Sequence, residues 1–292
     1  MNPDLDRLAR DICFQIDDEL QRSGILYRIF SRAKSISSIE KKLKSNDYAN
    51  RVENNKIQDI IGIRITMYFE DDLSIVYNAL RKKFHFIDET IDKPSVATFE
   101  PKRVNLIFKM NEDQEKEVND IAVSKYIYID TTYEIQLRTV LSEGWHEVEH
   151  DLRYKCKEDW IDQTDISHIF NGVYASLVTS DWSIMSIFDN LAYRHYKAKK
   201  WPALLRTKFR LRIIEGDLDI RIIDILNQDI NLSKELYKVD RNIFLQQLFN
   251  DGIRIPLTLT NLIHIINAYF LHDEKIKLLA PEFLLSNKRI YK

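Results

Sequence analysis

The 292-residue sequence contains little cysteine, and this scarcity excludes one class of protein. Cys13 and Cys156 lie far apart and lack the C-x-x-C spacing of redox and zinc motifs. Small secreted domains that lack a large core depend on several disulfides. The sequence therefore excludes a disulfide framework and fits a reducing compartment.

The sequence also lacks an excess of charge of either sign. It has 43 Lys and Arg against 45 Asp and Glu, so its net charge is −2. No global basic field favours nonspecific binding to duplex nucleic acid, and any phosphate site must be a local patch. With 45% hydrophobic and 30% charged residues, the chain is typical of a globular protein with one large or two ordinary domains.

Long apolar runs are missing as well. The N-terminus has no basic stretch followed by an apolar core, and no uninterrupted apolar run reaches 18 residues. The most apolar segment, 255–271, contains Thr, Asn and His and therefore predicts a packed helix. We expect a cytoplasmic, soluble protein that does not enter a membrane.

Apolar spacing predicts an α+β fold, with a domain over 1–158 and a mainly helical region over 159–292 that we expect to be accessory or regulatory. Helical spacing runs through the first 48 residues, interrupted at Gly24 and by a short segment at 25–30, and returns over 73–84, 139–155 and beyond 160. Alternation predicts strands, whereas 111–120 suits a loop or short helix and 196–202 a linker or exposed turn. The predicted strands are 63–69, 104–110, 126–129 and 133–139.

The last of these strands is chemically the most informative. Alternation turns Tyr133, Ile135 and Leu137 to one face, and Glu134, Gln136 and Arg138 to the other. A carboxylate, an amide and a guanidinium in a row suit a metal ion, a sugar hydroxyl and a phosphate. An exposed polar strand face would show the same alternation, so the pattern alone leaves both interpretations open.

Three segments taken together resemble the synthetase domain of the RelA/SpoT family, the alarmone synthetases, and especially its small single-domain members. They are Ser31 to Leu43, Gln58 to Ile65, and Tyr133 to Thr139 running into Trp145 to Lys155. The resemblance covers roughly residues 25 to 156. It implies a mixed β-sheet flanked by helices, related to nucleotidyltransferases.

The resemblance also implies an activity and a set of site residues. The activity is transfer of the β,γ-pyrophosphate of ATP to the 3′-hydroxyl of a nucleotide, classically GDP or GTP. By position, Asp59 and Glu134 resemble the two Mg²⁺-binding carboxylates, and Glu134 is also placed to draw the proton from the attacking hydroxyl. The residues that match nucleotide- and phosphate-binding positions are Arg32, Lys34, Lys41, Arg64, Gln136, Arg138, His150 and Lys155.

One family motif is missing. Members normally carry a loop with the pattern Y-x-S-x-H, whose tyrosine stacks on the acceptor guanine. The corresponding stretch here offers Phe99, Lys102, Arg103 and Asn105 instead. Stacking and base-edge hydrogen bonds set acceptor choice. The missing motif therefore leaves the identity of the acceptor open, and another nucleotide or the 3′ end of a tRNA are alternatives to guanosine nucleotides.

The same sequence is open to other functions. The chain could instead be a nucleotidyltransferase that makes a di- or oligonucleotide signal, or a degenerate nucleotide-binding regulator. His146 to His150 reads H-E-x-x-H, but Glu149 is charged and no third ligand follows at the usual spacing, which disfavours a zinc protease. The residues before the match leave no room for the hydrolase domain of long family members, so hydrolysis is not expected.

Residues 159–292 carry no motif that can be tied to chemistry. The hypothesis for them is regulation or recruitment, through a protein regulator or antitoxin, a homo-oligomer contact or a phage-derived trigger. This would suit a stress-response, toxin or anti-phage defence protein. Tyr193 to Tyr196 and the lysines that follow could contact RNA, although a solvated helix end is the commoner reason for such a segment.

Overall fold

The computed structural model describes residues 3–44, 57–91, 104–122 and 130–291. As far as they are described, the residues form two compact units. The first comprises Met1–Asp18, Tyr27–Tyr68 and Leu80–Ser180, and the second comprises Glu19–Leu26, Phe69–Ala79 and Asp181–Lys292. The division at 158/159 that the sequence suggested stays a prediction.

A five-stranded mixed sheet forms the centre of the first unit. The strand order is β1-β2-β5-β4-β3, in which β2 and β5 run parallel and the other neighbours run antiparallel. This confirms the predicted α+β class with a mixed sheet. The strands are β1 Tyr27–Ala33, β2 Ile61–Met67, β3 Phe86–Ile91, β4 Val104–Lys109 and β5 Thr132–Thr139.

Helices supply most of the remaining regular structure. A π-helical turn, His150–Tyr154, continues α5, another, Asn267–Leu271, continues α11, and a 3₁₀ turn spans Lys157–Trp160. The α-helices are α1 Pro3–Gln21, α2 Ile36–Lys44, α3 Asp72–Lys83, α4 Glu112–Ala122, α5 Val140–Glu149, α6 Thr164–Lys197, α7 Trp201–Phe209, α8 Ile220–Gln228, α9 Ile230–Lys238, α10 Arg241–Asp251, α11 Leu259–Ile266, α12 Glu274–Leu278 and α13 Glu282–Leu285. Among the described residues, no helix is long and apolar enough to cross a membrane.

Period-2 alternation divides the sheet into an apolar and a polar face. Ile63 and Ile65 of β2 are fully buried and pair with Ile135 and Leu137 of β5. Leu106 of β4 continues this apolar layer opposite Ile135. Burial of these branched side chains fixes the register, because a slip of one residue would turn the apolar side chains to the polar face.

Several predicted elements need correction. Residues 27–33 form a strand rather than part of a helical segment, because they pair along their whole length with β2. Strand β3 was not predicted, since its pairing with β4 rather than its own apolar pattern holds it in the sheet. Of the two alternatives at 111–120, the structure has a helix, α4, and the predicted linker or exposed turn at 196–202 contains an exposed turn at 198–199 between the end of α6 and the start of α7. The predicted strand at 126–129 lies outside the described residues.

The second unit is helical and contains a buried group of charges. Asp72, at the start of α3, is fully buried, and its Oδ1 lies 2.7 Å from Nη1 of Arg241. Asp71 accepts from Arg210, which is 4% exposed, and lies 3.3 Å from Arg241. Burial raises the pKa of Asp72, and the two arginines oppose that rise. The segment 69–79 is therefore held in this unit by Arg241 of α10 and by Arg210, the residue that directly follows α7.

Candidate active site

The polar face of the sheet brings side chains from β2 and β5 into two neighbouring rows. Parallel pairing aligns Gly62 with Glu134, Arg64 with Gln136, and Thr66 with Arg138. Residues aligned in this way point to the same face of a sheet. Gly62 has no side chain, so β2 places none beside Glu134 at this position.

Glu134 is held at both carboxylate oxygens. Its Oε1 accepts a hydrogen bond from Nδ2 of Asn105 at 2.8 Å, and its Oε2 accepts one from Nε2 of Gln136 at 2.9 Å. Asn105 lies on the neighbouring β4, opposite Gln136. Two amide donors from two strands thus fix the orientation of the carboxylate on the sheet.

Arg64 joins this row to helix α5. Its Nε donates to Oε1 of Gln136 at 3.3 Å, and its Nη1 donates to Oε1 of Glu143 at 2.7 Å and to Glu147. Glu143 and Glu147 are one turn apart, so they share a face of α5. The helix begins directly after β5, where Thr139 and Ser142 form a capping box.

Arg138 is the most buried cation of the face, with 9% of its side chain exposed. Its Nε lies 3.5 Å from Oε2 of Glu143. Burial lowers the pKa of Arg138, and the Glu143 carboxylate opposes that effect. Glu143 is therefore the shared counter-charge of two arginines that come from two strands.

Asp59 and Lys34 form a separate ion pair at the entrance to β2. Lys34 Nζ donates to Oδ2 of Asp59 at 2.5 Å, and the Lys34 backbone N–H donates to the carbonyl of Ile60 at 2.7 Å. The backbone contact fixes the end of β1 against the start of β2. The structure thus brings the predicted donor-site lysine directly to the first predicted carboxylate.

Strand β1 adds a row of exposed side chains to the same face. Arg28 pairs with Thr66, Phe30 with Arg64, and Arg32 with Gly62. Phe30 is 53% exposed, and both arginines beside it in this row are exposed. Lys41 is exposed on α2. An aromatic ring between two arginines is unusual on a solvent-facing strand and fits a ligand with a base and phosphates.

His150 lies on the π-helical turn after α5, and Lys155 directly follows that turn. The Nδ1 of His150 and the Nζ of Lys155 lie 2.9 Å and 2.6 Å from Oδ1 of Asp151. The hydrogen bonds from Lys155 and from His150 lower the pKa of Asp151. Within the part of the chain that is described, no hydrogen bond or ion pair joins this trio to Glu134, Gln136 or Arg64. Their assignment to nucleotide binding stays a prediction.

The H-E-x-x-H pattern does not form a zinc centre among the described residues. No group of three or more His, Cys, Asp or Glu residues is placed there to hold a metal ion. His146 is 4% exposed, and its ring packs against Trp145 at 5.3 Å and Tyr174 at 5.4 Å. His146 therefore belongs to an aromatic core, which explains its spacing without a metal.

Some site residues were not found from the sequence. Glu143, Glu147 and Phe30 were missed, and Asn105 was placed in the acceptor loop rather than beside Glu134. Two signals could have found them: the i, i+4 spacing of the glutamates directly after β5, and the alternation of Phe30 with arginines. Phe99, Lys102 and Arg103, which replace the missing family motif, lie outside the described residues.

Comparisons with known proteins found two curated relatives of similar sequence. Two GTP pyrophosphokinases of Bacillus subtilis (strain 168), YwaC and YjbM, are each 27% identical to this chain, over 135 and 132 residues. Each match covers 44% of this chain, and 59% of YwaC or 56% of YjbM. The chain thus spans less than two thirds of the length of these curated relatives.

A solved structure and a family model were also matched. The crystal structure of the small alarmone synthetase 1 from Bacillus subtilis aligns with a TM-score of 0.46 and 19% identity, over 63% of this chain and 92% of that chain. Residues 31–159 match the family model described as a region found in RelA / SpoT proteins. This segment contains β2, β5 and the row formed by Glu134, Gln136 and Arg64, and it is a RelA/SpoT-family domain.

Proposed function

We propose that this chain transfers the β,γ-pyrophosphate of ATP to the 3′-hydroxyl of a nucleotide, with Mg²⁺ as cofactor. The observation that carries the proposal is the row of Glu134, Gln136 and Arg64, in which a fixed carboxylate lies beside a guanidinium on one sheet face. The family of residues 31–159 and the name GTP pyrophosphokinase of the two relatives support this reaction class.

Glu134 is the group that we assign to the acceptor hydroxyl. The hydroxyl oxygen attacks the β-phosphorus of ATP, the bond from that phosphorus to the α-phosphate oxygen breaks, and AMP leaves. The hydroxyl proton passes to the Glu134 carboxylate, whose direction is fixed by Asn105 and Gln136. A carboxylate that is oriented in advance loses little entropy when the hydroxyl binds.

Asp59 and Glu134 are the residues that would hold Mg²⁺. Their carboxylate oxygens are the hard ligands that this ion prefers, and Mg²⁺ usually takes one or two carboxylates together with substrate phosphates. When bound, the ion would neutralise part of the phosphate charge. Lys34 already pairs with Asp59, so a cation is accommodated at that carboxylate.

The arginines and lysines of the face would bind the phosphates of the donor. Arg64 is now held by Glu143 and Glu147, and Lys34 is held by Asp59. A polyphosphate would compete with these carboxylates for the same cations. The site therefore keeps its cations paired and oriented until an anionic ligand displaces the carboxylates.

Phe30 gives this face a surface for a nucleobase. Its ring is 53% exposed and lies on the strand directly opposite Arg64, between Arg28 and Arg32. Stacking on an aromatic ring tolerates every base. Phe30 therefore supports nucleotide binding without restricting the acceptor to guanosine, and the acceptor can be GDP, GTP, another nucleotide or a tRNA 3′ end.

The reaction is tested by incubating the purified chain with Mg²⁺ and γ-³²P-ATP against each nucleotide and bulk tRNA, with products resolved by chromatography and mass. We expect label to reach one acceptor with the added mass of pyrophosphate. Glu134→Gln should abolish transfer with the fold retained, because it removes the charge but keeps the volume. Glu117→Gln is the control, since that carboxylate pairs with Arg7 on other elements of the same unit.

Three outcomes would contradict the proposal. Full turnover by Glu134→Gln would refute the role of that carboxylate. A product with an added nucleotidyl mass would instead support synthesis of a di- or oligonucleotide signal. Absence of transfer in the wild type, with nucleotide binding intact, would support a nucleotide-binding regulator. Roles in stress response, toxicity or anti-phage defence stay predictions.

A further inference from the structure

The segment 190–214 in the second unit is unusually basic. It contains eight Lys or Arg residues and no Asp or Glu, in a chain whose net charge is −2. Cations at the end of a helix offset its dipole, but that accounts for one turn and not for 25 residues without an acid. The eight are Arg194, Lys197, Lys199, Lys200, Arg206, Lys208, Arg210 and Arg212.

Four aromatic rings form a ladder within this segment and α9. Trp201 is 1% exposed and lies 6.4 Å from Tyr196. Tyr196 stacks on Tyr237 at 4.7 Å and 17°, and Tyr237 contacts Tyr193 at 6.0 Å. Tyr193 is 48% exposed. The ladder is thus anchored in the core by Trp201 and ends at the surface in Tyr193.

Cations surround the ladder. The Nζ of Lys208 lies 5.2 Å from the centroid of the Tyr237 ring. Lys199 Nζ donates at 3.1 Å to the carbonyl of Asn227, whose side chain accepts from the Trp201 indole at 2.9 Å. Arg194 and Lys197 are exposed on the turns of α6 that carry Tyr193 and Tyr196.

The acids nearest to Lys208 already have partners. Asp189 pairs with Arg210 at 3.4 Å, and Asp240 accepts a hydrogen bond from the backbone N–H of Ile243 as the cap of α10. Burial lowers the pKa of Lys208, and these two carboxylates oppose that effect. Asp189 is 76% exposed, and together with burial it raises the pKa of Tyr237, so one acid lies beside the Tyr237 end of the ladder, whereas the exposed Arg194 and Lys197 lie on the turns that carry Tyr193 and Tyr196.

We propose that the Tyr193 ladder and its cations bind single-stranded nucleic acid, with an unpaired base stacked on Tyr193 and the backbone phosphates on Arg194, Lys197 and Lys199. Stacked aromatic rings beside a row of cations are the features that bind single strands without sequence preference. The bases of a duplex are already paired and stacked, so a duplex would contact only the cations of this surface. The proposal does not depend on the reaction proposed above, because these residues lie outside the residues assigned to it.

The test measures fluorescence anisotropy of a labelled, unstructured 12-nucleotide RNA, the DNA of the same sequence, and the corresponding duplex, between 50 and 200 mM salt. We expect the single strands to bind more tightly than the duplex. Tyr193→Ala should weaken binding by roughly tenfold or more with an unchanged salt slope, and Tyr193→Trp should retain it. RNA and DNA share the chemistry, and the two single strands show whether the 2′-hydroxyl adds affinity.

A second variant separates charge from stacking. Replacing Arg194, Lys197 and Lys199 by Gln should reduce the slope of log K against log salt by about 2, at roughly 0.7 for each phosphate contact. Trp182→Ala is the control for an exposed aromatic of the same helix, and Lys275→Gln is the control for a surface charge. Circular dichroism checks that each variant is folded.

Some results would overturn the proposal. They are absence of single-strand binding at 50 mM salt, equal binding of duplex and single strand with no effect of Tyr193→Ala, and competition by polyglutamate as strong as that by the oligonucleotide. The last result would identify an acidic protein as the preferred partner of this surface.

Discussion

The shared role of Glu143 leads to a stability prediction. Glu143 contacts Arg64 at 2.7 Å and Arg138 at 3.5 Å, whereas Glu147, one turn along the same helix, contacts Arg64 and is 50% exposed. Glu143→Gln and Glu147→Gln therefore form a matched pair. Both remove one carboxylate charge from Arg64, but Glu143 is the nearer and stronger of the two counter-charges of the buried Arg138.

The expected magnitude follows from burial. Arg138 is 9% exposed, and its Nε and Nη1 have no hydrogen-bond acceptor among the described residues. Removing one partner of a fully buried ion pair costs about 3–5 kcal/mol. Glu143 is 19% exposed, so solvent screens part of this loss and we expect about 2 kcal/mol. For Glu147→Gln, which leaves Arg64 its contact with Glu143, we expect less than about 0.5 kcal/mol.

Urea unfolding at pH 7 measures both values, with the m-value checked for constancy. The double variant Glu143→Gln with Arg138→Met should be less destabilised than the sum of its single changes, because it leaves no unpaired charge. Equal effects of the two glutamine variants, or additivity in the cycle, would refute the argument that Glu143 neutralises Arg138.

Two other predictions concern binding and pH. Phe30→Ala should raise the Kd for ATP by roughly fivefold or more, as measured by calorimetry. Phe14 is an exposed phenylalanine of α1, and Phe14→Ala should leave this Kd unchanged. Equal Kd values for the two variants would exclude Phe30 from the site. Arg241→Met should cost about 3–5 kcal/mol at pH 7 because it leaves the charge of Asp72 buried, whereas Arg221→Met, at an exposed pair, should cost little. The raised pKa of Asp72 means that the folded state favours its neutral form, so the deficit of Arg241→Met should shrink as pH falls from 8 to 5, and a pH-independent deficit would contradict this.

The sheet could be predicted where each strand carries its own apolar alternation. Strands β2, β4 and β5 show this alternation, and the structure buries the predicted faces. Strand β3 lacks it and is held by pairing with β4, a contact between distant residues that no local pattern reveals. In β1, the exposed arginines and Phe30 broke the apolar pattern, and the same residues make this strand part of the candidate site.

The candidate site was predictable only in part, for a related reason. The sequence predicted that Glu134, Gln136 and Arg138 share a face, because alternation within one strand is a local property. It gave no information on which neighbouring strand lies beside them. The amide of Asn105 on Glu134 and the carboxylate of Glu143 on two arginines both depend on the strand order and on the turn from β5 into α5.

The order of the strands also explains how a single polar face brings amides, carboxylates and cations together. Parallel pairing of β2 with β5 places Arg64 beside Gln136, and antiparallel pairing of β4 places Asn105 on the other side of the same residue. A carboxylate held by amides thus lies next to cations held by carboxylates, and every charge of the row has a partner on a neighbouring element. Such a row is oriented before a ligand binds, and a polyanion or a hydroxyl can exchange into it without reorganising the sheet.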